Sequence, residues 1–438
     1  MAGRQVRQGR QVTDPYLPRH GNPGYRVLHY DLDLDYKLSS NRLAGRAALT
    51  ARATAPLPRF GLDLATSLRV SKVSVNGVRA KAFSQRDRKL RVAPATPLAG
   101  DARFSVEVRY VGNPKPMTGA WGEVGWEELT EGVIVASQPN GAPSWFPCND
   151  HPSDKASYRI TFTTDSPYRV VANGSLVSRQ VRSGRTTWVY DQPEPMASYL
   201  ATIQVGRYEL DQLDTSSVWQ LAAVPPRLRS AAARDFGRQP AMMTLFERLF
   251  GRYPFAAYTV VVTDDELEIP VEAQGLSIFG ANHVDGHRGS ERLVAHELAH
   301  QWFGNSLTVA RWQDIWLNEG FACYAEWLWS EESGGSSADQ HATSTRRRLA
   351  ALPQDLVIAD PGVKLMFDDR VYKRGALTLH TLRRTLGDEP FFILLTEWTE
   401  LNRHGLVTTS GFIALAERHN GAALTDFFNS WLYRAELP

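Results

Sequence analysis

Residues 292–306 read RLVAHELAHQWFGNS. Two histidines stand four residues apart, and a glutamate directly follows the first. The apolar spacing predicts a helix over roughly 289–304. On a helix, residues i and i+4 stack on one face, so His296 and His300 point the same way and can share one ion. Neutral imidazole nitrogen is a preferred zinc ligand. Glu297 lies about 100° around the helix from His296. That is close to the ion without forced ligation, where a general base for an activated water belongs. The plainer alternative is an amphipathic helix that spells His-Glu-x-x-His by accident, which in a chain of this size has a chance of about one or two per cent.

A catalytic zinc needs a third protein ligand and an open position. Glu319 stands nineteen residues past His300, in DIWLNEGFACYAEW (314–327), a segment with its own helical pattern. A short connection would lay it antiparallel to the first helix and bring Glu319 back beside the histidines. Glu326, two turns further on the same face, can accept the second N–H of a ligating histidine and fix its tautomer. The bland reading of both glutamates is solvation or pairing with arginine. The longer motif with a third histidine fails, since Phe303 and Ser306 occupy its positions. No Cys-x-x-Cys pair offers a structural zinc site.

Working outward, the 438 residues are long for one core and suggest two or three domains. Apolar residues make up 43% and charged residues 22%, a soluble globular mix. A net charge of +2 gives no electrostatic support to a nucleic-acid or membrane-surface partner. No apolar run approaches the roughly 18 residues that would span a bilayer. Residues 1–25 are basic and polar without an apolar secretory core, and a loose tail is expected there. The two cysteines, Cys148 and Cys323, suit a reducing compartment, with a single bridge as the alternative. The cytoplasm is the expected location.

From 26 to 206 the texture is β, opening with the alternating YRVLHYDLDLDYKL. Asn76-Gly77 and Asn173-Gly174 each read as a type I′ hairpin. Near residue 225 the texture changes: PRLRSAAARDFGRQPAMMTLFERLFGRYP has helical spacing, the strand-like AAYTVVVTDD and then VEAQGLSIFG follow, and after that the chain is mostly helical, with stretches expected near 289–304, 314–330, 337–352, 375–387 and 411–433. An all-β domain (26–206) followed by an α+β, mostly helical domain (207–438) is the predicted organisation.

His-Glu-x-x-His, eighteen residues, then the glutamate of WLNEGFA resembles the aminopeptidase N family of zinc peptidases, the gluzincins that include the leukotriene hydrolases. SWFPCNDHPSDKASYRITFT (144–163) resembles that family's N-terminal β-domain signature, and PMASYLATIQVGRYEL (195–210) its link into the catalytic domain. The resemblance implies a β-sandwich-like saddle followed by a thermolysin-like zinc-peptidase domain. It implies one zinc ion per chain on His296, His300 and Glu319, with Glu297 as general base. Tyr372, in RVYKRGALTLH, matches the tyrosine that hydrogen-bonds the developing oxyanion. Glu272 in IPVEAQGLSIFG and Gln138 in VASQPNGAP match the acceptors of the substrate's free α-amine. Strand 271–275, to Gly275, would pair its backbone with the peptide.

Two departures stand out. The family's Gly-x-Met-Glu-Asn strand is worn to PVEAQG, and Lys373-Arg374 adds positive charge after Tyr372, which is expected to alter the outer subsites. Relatives continue with a large helical domain over the site, whereas this chain ends at FFNSWLYRAELP, so a short two-domain form with a more open cleft is expected. The function implied is a monomeric, zinc-dependent aminopeptidase that removes N-terminal residues from peptides through a zinc-activated water. Its partners are peptides with a free N-terminus, not nucleic acid or membrane. The alternatives are a gluzincin endopeptidase, an epoxide hydrolase or an inactive scaffold of the same fold.

Overall fold

The strand Tyr25–Lys37 buries Tyr25 and Val27 and then, past a bulge between Val27 and His29, Tyr30, Leu32, Leu34 and Tyr36. The extra residue moves the buried set from odd to even positions, which is what a bulge does to a period-two pattern. This strand lies inside an eight-stranded sheet, antiparallel to Arg42–Ala53 and parallel to Lys155–Asp165. A five-stranded sheet (Met117–Gly119, Gly122–Leu129, Gly132–Ala136, Ile203–Gly206 and Arg169–Ala172) and a three-stranded one complete the β-rich half. The computed structural model describes residues 13–214 and 217–438.

Two expectations for this half need correction. Asn76-Gly77 does turn a hairpin between Leu68–Val75 and Val78–Arg79. Asn173-Gly174 does not. The strand before it belongs to the five-stranded sheet and the strand after it to the eight-stranded one. Asn173 is fully buried and donates to the carbonyls of Leu200 and Gln274. It turns a corner between sheets, where its amide satisfies backbone groups no ladder reaches. The loose tail is corrected as well. Residues 1–12 lie outside the described residues, but Asp14 is 2% exposed and accepts from the Trp312 N–H at 2.9 Å. Tyr16 reaches across to Asp360 and accepts from the Gly362 N–H at 2.7 Å.

The second half holds a mixed sheet in the order Glu209–Asp214, Trp219–Val224, Ala257–Val262, Leu276–Phe279 and Val271–Ala273, the last at its edge. Nine α-helices follow the β-rich half among the described residues: α1 (Arg229–Asp235), α2 (Gln239–Phe250), α3 (Glu291–Ala299), α4 (Trp316–Glu332), α5 (Ala338–Ala350), α6 (Asp369–Leu386), α7 (Asp388–Leu401), α8 (Thr409–Asn420) and α9 (Thr425–Phe428). A π-helical turn, Asn429–Tyr433, closes the chain's last helical stretch. The sequence pattern missed α7, and α6 begins six residues before its expected start at 375. None of these helices is long and apolar enough to cross a membrane. Cys148 and Cys323 are both free and buried, so the alternative of a bridge between them falls.

One hydrophobic cluster runs through both halves, with Tyr199 edge-on to Trp312 at 4.9 Å between ring centres. Burial of apolar surface, at roughly 25 cal/mol per Å², is what holds the halves together.

Candidate metal centre and substrate cleft

Apolar residues on α3 (Val294, Ala295, Leu298 and Ala299) bury the helix and leave His296 pointing to a cleft. His300 caps its C-terminal end. His296 Nδ1 lies 2.7 Å from Glu326 Oε1 and His300 Nδ1 lies 3.0 Å from the Phe303 carbonyl. With Nδ1–H donating outward in this way, each imidazole in its neutral form turns the lone pair of Nε2 inward. The two Nε2 atoms stand 3.6 and 3.4 Å from one oxygen of Glu319. Ligands about 2.0–2.1 Å from a tetrahedral zinc are separated from one another by roughly 3.4 Å. The donor set and its spacing fit that ion.

The electrostatics also favour a cation. Burial opposes charge on the imidazoles, but Glu319 and Glu326 hold the pKa of His296 up at about 9, and Glu272 and Glu319 hold that of His300 at about 10. Burial works against the Glu319 carboxylate too, yet the two histidines bring it down to about 2. Glu297 is different. Burial raises its pKa to about 7 against the pull of both histidines, and its Oε2 is buried without a hydrogen-bond partner. An orphaned carboxylate oxygen facing a cation site is suited to take a proton.

Glu319 reaches the histidines because α4 returns against α3. The helix carrying Tyr372, α6, crosses α4 at two glycines. A β-carbon on Gly320 would sit 2.9 Å from the Gly375 Cα, so only glycine permits the approach. Tyr372 is thereby stacked at 16° and 6.1 Å from the His296 ring. Burial and the surrounding carboxylates raise its pKa well above 10, so the phenol keeps its proton as a donor.

The edge strand Val271–Ala273 forms the opposite wall. Glu272 is 8% exposed and accepts from Gln138 Nε2 at 2.7 Å, a bond joining the β-rich half to the catalytic half. Candidate ligand atoms of Glu272, Glu297 and His300 lie within 4.8 Å of one another. These residues, with His296, Glu319, Tyr372 and Gln138, line one cleft of about 1500 Å³.

Two site expectations change. Gly275 is not among the residues that line the cleft. It turns the hairpin with φ +78°, its N–H donates to Gln301 Oε1 at 2.8 Å and its carbonyl accepts from Thr259. Its N–H is spent, and one lone pair of its carbonyl is in use. Arg374 does not reach the outer subsites, because it is buried on the far side of α6. Lys373 does line the cleft.

Sequence reasoning missed three supports. Gln301 and Asn305, both just past the second histidine, donate to the Ala273 carbonyl at 3.2 and 3.0 Å and tie the Glu272 strand to the zinc-site helix. Amides in the turn directly after a helix carrying such a motif were the available signal. Lys155 of the β-rich half donates to the carbonyls of Asn305 and Ser306 at 3.1 and 2.8 Å.

Two imidazoles, a carboxylate and an adjacent carboxylate base, set between a β-rich half and a helical half, make up the architecture of a zinc peptidase. Residues 26–200 match the peptidase M1 N-terminal domain and residues 235–431 the peptidase family M1 domain. An M1 zinc metallopeptidase from Deinococcus radiodurans is similar in structure, with a TM-score of 0.89 at 31% identity over 98% of each chain. A mutant of it bound to a Tyr-Ser-Ala substrate gives 0.89 at 30%, again over 98% of each chain. This chain belongs to peptidase family M1. Its curated relatives include endoplasmic reticulum aminopeptidase 1 of Mus musculus, 26% identical over 86% of this chain and 43% of that protein. Leucyl aminopeptidase of Saccharolobus solfataricus is 24% identical over 84% of this chain and 48% of its own length. The chain thus spans about half the length of these curated relatives.

Proposed function

We propose that the protein is a zinc aminopeptidase that removes single residues from peptides with a free N-terminus. The observation that carries this reading is the position of Glu272. Its carboxylate lies within 4.8 Å of His300 and Glu297. An α-amine nitrogen is only about 2.5 Å from its own carbonyl carbon. An amine held at Glu272 therefore leaves room for one residue before the bond attacked beside Glu297. A blocked or internal peptide would bury the carboxylate against an uncharged chain, which disfavours the endopeptidase reading.

The geometry supports a role for each residue. His296, His300 and Glu319 would hold one zinc ion, which when bound lowers the pKa of a water and polarises the carbonyl under attack. Glu297 takes the proton of the attacking water and delivers it to the departing amine. Tyr372 donates its O–H to the carbonyl oxygen as negative charge builds there, an interaction stronger in the transition state than in the substrate. Glu326 fixes the tautomer of His296. Gln138 donates to Glu272, and its own amide oxygen remains to accept from the substrate ammonium.

In this reading the units are 26–206 and 207–438, and the protein acts as a monomer in the cytoplasm. Free, buried Cys148 and Cys323 support a reducing location. The test is hydrolysis of aminoacyl-arylamides, each beside its N-acetylated partner, with and without a zinc chelator. Cleavage of the free-amine members alone, abolished by chelator, is expected. Equal cleavage of the blocked members would overturn the role of Glu272 and move the enzyme to the endopeptidases.

A further inference from the structure

Arg374 lies two residues past Tyr372 on α6, which is about 200° around the helix. Tyr372 lines the cleft and Arg374 faces the opposite way, at 4% exposure. Its guanidinium donates to five backbone carbonyls. Nε reaches Trp431 at 2.9 Å, Nη1 reaches Ala435, and Nη2 reaches Ser430, Arg434 and Glu436 at 2.9, 2.7 and 2.9 Å. All three guanidinium nitrogens are thus in use. Those carbonyls belong to the π-helical turn Asn429–Tyr433 and the residues after it. That segment is itself anchored: Leu432 is fully buried and its carbonyl accepts from the Ala359 N–H at 3.1 Å, while the Leu437 N–H donates to Gln354 at 2.8 Å.

A buried cation without a carboxylate is costly unless its donors are all satisfied. A purely structural account would have Arg374 serve only the orphan carbonyls of the π-turn. Its location says more. The same turn of α6 is fixed at Gly375 against Gly320, the neighbour of Glu319, and held from behind by Arg374. Between those two fixed points the turn has little freedom to tilt toward or away from the metal centre.

We propose that Arg374 is a positioning residue for Tyr372, tying the cleft-facing turn of α6 to segment 430–436 so that the phenol is held at bonding distance from the oxyanion. The inference rests on the aminopeptidase reading above. An oxyanion donor acts only at about 2.7–3.1 Å, and displacements of about 1 Å cost up to about 100-fold in rate.

The experiment is a double-mutant cycle with Tyr372→Phe, Arg374→Ala and the pair, measured as kcat and KM on an aminoacyl-arylamide. Zinc content and amide hydrogen exchange of 369–376 are followed alongside. Arg374→Ala should lower kcat about 10- to 100-fold with little change in KM and with zinc retained. Exchange in 369–376 should rise while α3 keeps its protection. In the Tyr372→Phe background the same substitution should cost no more than about twofold. Independent, multiplying losses would overturn the proposal, as would an unchanged kcat for Arg374→Ala. If the alanine variant does not fold, Arg374→Lys, which keeps the charge but cannot reach all five carbonyls, takes its place in the same cycle with the same criteria. An inactive wild-type chain would instead overturn the aminopeptidase reading, which separates the two failures.

Discussion

Gly320 and Gly375 meet where α4 and α6 cross, so closely that a β-carbon on Gly375 would sit 2.8 Å from the Gly320 Cα. Helix propensity alone favours alanine over glycine by about 1 kcal/mol. Overpacking a backbone contact opposes it by about 1–3 kcal/mol. For Gly375→Ala we expect a net loss, read as a Tm lower by a few degrees, together with a lower kcat because Tyr372 moves with the helix. An alanine variant as stable and as active as wild type would show that the crossing tolerates separation.

Glu326 takes the Nδ1–H of His296 and is itself faced by Arg292 at 3.0 Å and Lys373 at 3.9 Å. Glu326→Gln keeps the shape and removes the charge that makes the imidazole a better donor to an ion. Zinc affinity should fall about 10- to 100-fold. Competition against a chromogenic chelator measures it, and unchanged affinity would reduce Glu326 to a buried ion-pair partner of Arg292.

Glu272→Gln should separate binding from chemistry. A hydrogen bond to a charged group contributes about 1.5–3 kcal/mol, which is roughly 10- to 150-fold in kcat/KM for free-amine substrates. N-acetylated partners should be unaffected or slightly improved. Equal losses on both substrate types would mean that Glu272 shapes the strand and does not hold the amine.

Lys155 supplies a test by pH. Burial lowers its pKa from 10.5 to about 7, and its ammonium bonds the carbonyls of Asn305 and Ser306 without a carboxylate. The folded state therefore binds fewer protons than the unfolded state between those two values. Stability rises with pH across that window and is lost as pH falls through it. The urea midpoint of wild type should rise relative to that of Lys155→Met between about pH 7.5 and pH 9.5. A difference that is flat across that range would mean that the amine titrates normally.

The candidate metal cluster was legible because its first members are close in sequence. His296 and His300 are four apart, so helix periodicity alone stacks them on one face, and Glu297 directly follows the first. Glu319 and Glu326 needed only the assumption that the next helix folds back. What escaped the sequence was held by distant backbone. Arg374 looked like a free charge because its partners are carbonyls of a turn near residue 430. Asp14 and Tyr16 looked like tail because their anchors, Trp312 and Gly362, lie some three hundred residues away. Asn173-Gly174 has the composition of a hairpin, yet only the three-dimensional path decides whether the two flanking strands pair with each other or join different sheets. Gly275 is a similar case. Its motif matches a substrate strand, but the local turn spends its N–H on Gln301.

The bond between Gln138 and Glu272 crosses from one half of the molecule to the other. In the proposed reading, the groups that break the peptide bond all reside on the helical side, while the grip on the peptide's first atom is shared with the β-rich side. Evolution can therefore retune which peptide ends are trimmed by altering loops around Gln138, with no change to the hydrolytic apparatus. Conversely, a recombination event that exchanged the β-rich half would inherit the cutting chemistry intact and renegotiate the starting point from which residues are counted.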